Sequence, residues 1–354
     1  MLHRTSLISE LPRRVLLGNW ASGIHLCYSA WQVGISQEAG SKEHKMSIFP
    51  TKILLATDGS KEATLAARTA ADLARKTESE LHLLHSRAVP MLIEADSEAA
   101  RDVPYAEETA RREAQKVLDA QVEQIKALGT KVTQTHVRLG WPVEQIGILA
   151  EEIRAGLIVM GSRGLGGIKR ALMGSVSDSV VHHAHCSVLV VRAGENWQVT
   201  AFSQRILLAT DGSKNATLAT QAATEIATKT GADLHLVHVK LPPYDSSYFE
   251  GINTGDYLQD EEAAELKRNA QELLNKQVNQ IQAAGGRVVQ VHPRVGIPQA
   301  EITDLAEEIG AILVVVGSRG RGTMSRVLMG SVSDSVVHHA HCSVLVVRKE
   351  EPTD

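Results

Sequence analysis

The sequence of 354 residues predicts an α/β protein: two tandem doubly wound domains, each a five-stranded parallel sheet with helices on both faces. Three observations predict it. First, "KILLATDGSKEATLA" at Lys52 returns as "RILLATDGSKNATLA" at Arg205. Second, "LMGSVSDSVVHHAHCSVLVVR" occurs at Leu172–Arg192 and again, unchanged, at Leu328–Arg348. The unit so repeated is about 150 residues long, the size of a domain and far longer than a solenoid repeat. Third, within each unit short apolar runs alternate with stretches whose apolar residues recur at spacings of three and four, which reads as strands alternating with helices. That order calls for a parallel sheet covered on both sides.

The elements follow in sequence. "KILLAT" from Lys52 is a short apolar run suited to a strand buried on both faces. Ser60 can cap the next helix, whose apolar positions are Ala63, Ala67, Ala70 and Ala74. "LHLLH", Leu81–His85, is the second strand. After a loop to about Pro104, residues Val117, Val122, Ile125 and Leu128 mark a long helix stopped by Gly129. "KVTQTHVRLG" alternates more, as an edge strand does. Trp141-Pro142 opens a third helix, "LIVMGS" is a buried strand, and "SVSDSVVHHAH" runs helically into the last strand, "SVLVV". The second copy keeps this order, with three extra residues in a loop-like segment between His238 and Gln277. The domains are accordingly set at residues 46–193 and 205–349, joined by a linker at 194–204.

Composition narrows the function classes. Apolar residues make up 43% and charged residues 22%, ordinary for a globular protein, but aromatics are only 3%, so the cores must be built from Ala, Val, Leu and Ile. A net charge of −4 with dispersed Lys and Arg argues against a nucleic-acid partner or an anionic membrane surface. No apolar run of about 18 residues is present, so no membrane span is expected. Cys27, Cys186 and Cys342 do not make a disulfide framework; reduced thiols in a cytoplasmic protein are expected. Residues 1–45 follow no helical or strand period. Their basic start and weakly apolar middle resemble a poor signal peptide, interrupted by Asn19 and His25. The repeat restarts just after Met46, so residues 1–45 are read as a disordered tail or as untranslated sequence.

Parallel sheets bind ligands at the carboxyl ends of their strands, where strand order reverses. Two loops are placed for that. One is "TDGS" after the first strand, where Asp58 or Asp211 can accept from ribose hydroxyls or can serve only as a turn and cap residue. The other is "GSRGLGGIKRALMGS", Gly161–Ser175, after the fourth strand. Its glycines allow close backbone approach, and the following helix start, with the hydroxyls of Ser175 and Ser177, makes a phosphate receptor. A Cβ at Gly174 or Gly330 is expected to collide with ligand or to strain the backbone. The histidine-rich stretch invites a metal reading. However, His182 and His183 point about 100° apart on a helix, so a tetrahedral set is not expected; they suit a helix C-terminus.

These residues resemble a tandem universal stress protein over nearly all of Met46–Arg348. The most specific element is the family's ATP-binding pattern Gly-x2-Gly-x9-Gly-Ser/Thr, matched by Gly161, Gly164 and Gly174-Ser175, and by Gly317, Gly320 and Gly330-Ser331. The resemblance implies a strand order of 3-2-1-4-5 in each sheet. It implies adenosine contacts at Ala56, Thr57, Asp58 and Ser86, and at Ala209, Thr210, Asp211 and Val239. Ser86 departs from the family, which usually has an apolar residue there. Phosphates are implied on Gly161, Gly164, Gly174, Ser175, Val176 and Ser177, with Met160 and Arg163 as further cofactor-binding positions. In the second domain the counterparts are Val316, Gly317, Arg319, Gly320, Gly330, Ser331, Val332 and Ser333. ATP, with Mg2+ held through its phosphates, is the expected ligand. The apolar last strands are expected to pair the two domains within one chain, a homodimer of chains being compatible with that; a protein partner is expected but not identified. No Walker Gly-Lys-Ser/Thr, paired carboxylates or base stands near the glycines, so fast hydrolysis is not expected. The leading reading is a nucleotide-dependent stress-response regulator. The alternative is a slow ATPase or autophosphorylating enzyme that uses the loop serines.

Overall fold

The computed structural model describes residues 48–88, 103–165, 173–193, 204–243, 260–320 and 329–349. The extension 1–45 with its proposed start, Cys27 and most of the linker 194–204 lie outside them. The first domain runs β1 (Lys52–Ala56), α1 (Lys61–Thr77), β2 (Glu80–Arg87), α2 (Val103–Ala127), β3 (Gln134–Leu139), α3 (Pro142–Ile153), β4 (Leu157–Gly161), α4 (Ser175–His183) and β5 (Ser187–Val191). The second repeats it as β6 (Arg205–Ala209), α5 (Lys214–Thr230), β7 (Asp233–Lys240), α6 (Asp260–Ala283), β8 (Val288–Val295), α7 (Pro298–Glu308), β9 (Leu313–Gly317), α8 (Ser331–His339) and β10 (Ser343–Val347).

The strands form one sheet in the order β3-β2-β1-β4-β5-β10-β9-β6-β7-β8. Each half is parallel and ordered 3-2-1-4-5, as expected. Alternation along β1 explains the layering. Ile53 and Leu55 enter a core shared with α1, α2, α5 and α6 on one face, while Leu54 and Ala56 enter a second core with α3, α4, α7 and α8 on the other. Both cores run through the two domains, which is how a chain with few aromatics buries enough surface. The alternating, less buried strands β3 and β8 take the outer edges.

The last strands do not remain edges. β5 and β10 pair antiparallel, Leu189 opposite Leu345 and Val190 opposite Val344, so the two apolar strands cover each other at the centre of the sheet. Side chains then cross the seam. Arg192 follows β5 and donates to the carbonyls of Ala340 (2.8 Å), Val337 and His338 at the end of α8. Arg348 does the same to Ala184, Val181 and His182 at the end of α4. Each guanidinium thus meets the negative end of the other domain's helix. Burial holds both arginines below their usual pKa.

Candidate functional site

In each domain the chain leaves β1 toward β2 on one side and reaches β4 on the other, so the loops after these strands diverge. In the first domain a cleft of about 990 Å3 opens there. Every residue expected to touch ligand in this domain lines it: Ala56, Thr57 and Asp58 after β1, Ser86 on β2, Met160 and Gly161 at the end of β4, Arg163 and Gly164 beyond it, and Gly174, Ser175, Val176 and Ser177 at the start of α4. Pro142 and Ile146 of α3, with Leu84 and Ala63, add apolar wall. In the second domain Ala209, Thr210, Asp211, Val239, Val316, Gly317, Arg319, Gly320, Gly330, Ser331, Val332 and Ser333 take the matching strand ends, loop and helix start. Lys169 and Arg170 lie outside the described residues.

The end of β1 is fixed from several directions. Nδ1 of buried His85 donates to the carbonyl of Thr57 at 2.7 Å, and His238 does the same to Thr210 at 2.7 Å. Thr57 Oγ1 donates to Gln121 Oε1 of α2 at 3.1 Å and accepts from Gly59 N at 3.2 Å. Nothing in the β1 pattern shows these partners. The recurrence of His85 at His238, inside otherwise apolar strands, is the one signal that could have found the first of them.

Asp58 is both a turn residue and a clamp. Its Oδ1 accepts from Ser60 N at 3.0 Å, and Asp211 Oδ1 likewise accepts from Ser213 N at 2.9 Å. The freed Ser60 and Ser213 hydroxyls cap α1 and α5. Asp58 Oδ2 accepts from Leu165 N at 3.0 Å, tying the glycine loop to the end of β1. Each carboxylate oxygen has a second lone pair for a further donor.

The motif's three glycines differ in purpose. A Cβ on Gly161 would lie 2.9 Å from the carbonyl carbon of Glu62, and one on Gly317 2.8 Å from that of Asn215, so these allow α1 and α5 to approach the sheet. A Cβ on Gly164 would collide with Asp58 Oδ2. Gly174 is another matter. Its φ of −73° and ψ of 147° suit any residue, and its Cβ would meet nothing nearer than 3.4 Å. The expected backbone strain at Gly174 is therefore not found, nor at Gly330, with φ −73° and ψ 145°. Gly174 is the N-cap residue of α4 and supplies no side-chain acceptor. The N–H groups of Ser175, Val176 and Ser177 in the first turn have no intrahelical acceptor, and none has a backbone acceptor among the described residues, which suits them to an anion.

The two hydroxyls expected there part ways. Ser175 is exposed, whereas Ser177 is buried and its Oγ lies 2.8 Å from the carbonyl of Ser162 and 2.9 Å from that of Gly174. Ser333 repeats this with Ser318 and Gly330. These hydroxyls brace the loop against the helix start, a task set by tertiary contact and invisible in the motif.

The repeated histidines are distributed as follows. His183 Nδ1 bonds to Ser179 O of its own helix at 2.7 Å, and His185 Nε2 lies 3.0 Å from Glu151 Oε1 of α3. Cys186 and Cys342 are buried and in no disulfide; burial pushes the Cys342 thiol up to about 12. His182 and His338 instead cross the seam. His182 Nε2 lies 3.0 Å from Asp334 Oδ1, and His338 Nε2 3.0 Å from Asp178 Oδ1. Within each helix His182 Nε2 lies 3.6 Å from Asp178 Oδ1 and His338 Nδ1 3.5 Å from Asp334 Oδ1, which closes a ring of two aspartates and two histidines between α4 and α8. The spacing of Asp178 and His182 by one helical turn is a signal for a local pair, but none for the exchange across domains.

Comparison with known proteins gives a consistent result. The profile of the universal stress protein family matches residues 50–192 and 203–348. A universal stress protein of Mycolicibacterium smegmatis is 32% identical over 306 residues, spanning 84% of this chain and 96% of that one. The crystal structure of a universal stress protein from Archaeoglobus fulgidus superposes with a TM-score of 0.60 at 26% identity, over 85% of this chain and 98% of that one. A functionally unknown protein of Pseudomonas aeruginosa PAO1, at 19% identity and a TM-score of 0.58, shares the fold over 84% of this chain and 92% of its own.

Proposed function

The chain belongs to the universal stress protein family, and on that premise we propose that it binds ATP, one molecule per domain, and acts as a nucleotide-dependent stress-response regulator. The observation that carries the reading is the start of α4. A helix whose cap residue is a glycine, with three first-turn N–H groups facing a cleft of about 990 Å3, lacks an acceptor that a phosphate supplies. Gly330 and α8 repeat this arrangement. The apolar wall beside Ser86 suits a purine, and the remaining lone pairs of Asp58 suit ribose hydroxyls. Among the described residues of the cleft, Asp58, Glu62 and Asp178 face a single arginine, Arg163. Triphosphate in such surroundings calls for a counter-ion, and Mg2+ bound through the phosphates supplies one. No helix among the described residues is long and apolar enough to cross a membrane.

The alternative, slow hydrolysis or autophosphorylation, is narrowed by the serines. Ser177 and Ser333 have their hydroxyls engaged by backbone carbonyls, which leaves Ser175 and Ser331 as acceptors. Native mass spectrometry of the purified chain tests the leading reading directly: bound nucleotide at two per chain supports it, and no binding at millimolar Mg-ATP overturns it. Labelled ATP separates the alternative, through release of ADP or covalent label on Ser175.

A further inference from the structure

We propose that each nucleotide cleft is completed by the opposite domain: His338 contacts the phosphates held at α4, and His182 contacts those held at α8. This rests on the ATP reading above and adds a residue that neither the glycine motif nor the strand ends contain.

The geometry points to it in three ways. His338 belongs to the second domain, yet it lines the first domain's cleft beside Asp178, three residues beyond Ser175. Its Nδ1 lies 2.9 Å from the carbonyl of Asp334, an acceptor only, and its Nε2 lies 3.0 Å from the carboxylate of Asp178. The ring is thus held from its own helix, with Nε2 turned to a carboxylate that lines the other domain's cleft, and a phosphate seated there takes that donor in place of Asp178. Its side chain is 34% exposed, so it is accessible from that cleft. Finally, the cleft's described charges are three carboxylates and Arg163, and a triphosphate gains from any further hydrogen-bond donor at that end. His182 stands to Asp334 and α8 as His338 stands to Asp178 and α4. In this arrangement domain pairing is a condition for full phosphate affinity, and an isolated domain has an incomplete site.

The test is calorimetric titration of the full chain with Mg-ATP and, separately, with adenosine, which has no phosphates. Wild type is expected to take two ATP. His338→Ala should weaken one of the two sites roughly ten-fold, the scale of one charge-assisted hydrogen bond, while adenosine affinity stays unchanged at both. Combination with Gly174→Ala identifies the site. His338→Ala with Gly174→Ala should leave one site at wild-type affinity, because both changes strike the first cleft. His182→Ala with Gly174→Ala should leave none. If His338→Ala binds ATP as wild type does, or if its combination with Gly174→Ala weakens both sites, the contribution across domains is wrong while the ATP reading stands. Adenosine affinity falling together with ATP affinity overturns it too, since that marks a general disturbance of the fold. Failure of wild type to bind ATP overturns the ATP reading itself, and this inference with it.

Discussion

Gly174→Ala separates ligand recognition from folding at the helix start. In the free protein the new methyl group meets Arg163 Cα, Ser162 O and Ser177 Oγ at 3.4 Å, ordinary contact distances, with φ at −73°. Exchanging glycine for alanine at an N-cap costs about 0.5–1 kcal/mol, so the domain stays folded. For a phosphate seated on the N–H groups of Ser175, Val176 and Ser177, the methyl stands at the edge of the seat. Each hydrogen bond to a charged group contributes about 1.5–3 kcal/mol, so displacing the phosphate from one N–H weakens binding by about 10- to 150-fold. The assay is calorimetry with Mg-ATP alongside thermal unfolding without ligand. The expected result is one strong site in place of two, with a melting temperature a few degrees lower at most. Two undisturbed sites in Gly174→Ala would refute the placement of phosphate at the start of α4. A protein that no longer folds would refute the claim that this glycine serves the ligand rather than the backbone.

Gly161→Ala should behave oppositely: its Cβ is forced to 2.9 Å from Glu62 backbone, so ligand-free stability should fall by about 1–3 kcal/mol in chemical denaturation, and an unchanged midpoint would contradict the close packing of α1. Arg192→Ala with Arg348→Ala removes the guanidinium bonds that cap each helix from the other domain, at a cost of about 2–4 kcal/mol per arginine; small-angle scattering should show a larger, two-lobed particle. Acid should destabilise the chain through His136 and His292. Burial, then the neighbouring His82 or His235, then Arg138 or Arg294, hold both rings below 6.5 in the folded state. The unfolded chain then takes up protons first, so this stability is full above 6.5 and is lost as pH falls from there through the lower folded-state pKa. Urea midpoints at pH 7.5 and pH 5.5 should show this drop, and His136→Gln with His292→Gln should reduce it.

Much was legible in the sequence because it is a property of local pattern. Apolar runs alternating with three- and four-residue spacing determined strands and helices, and the repeated segments determined that the same domain occurs twice. Glycine spacing marked the loop after β4, and the alternation of "KVTQTHVRLG" marked an edge strand, because side-chain period follows directly from backbone geometry. What the pattern could not supply is which long-range partner each polar group finds. Ser177 reads as a phosphate hydroxyl, but its nearest acceptors, the carbonyls of Ser162 and Gly174, come into reach only when β4 and α4 are packed. Gly161 and Gly174 are the same letter in one motif, yet one is required by an adjoining helix and the other is not. His182 and His338 read as residues at a helix end, and became a link between domains once β5 and β10 closed the sheet. Periodicity is written residue by residue along the chain. Contacts between α4 and α8 depend on the relative position of two elements more than a hundred residues apart, which only the packed structure decides.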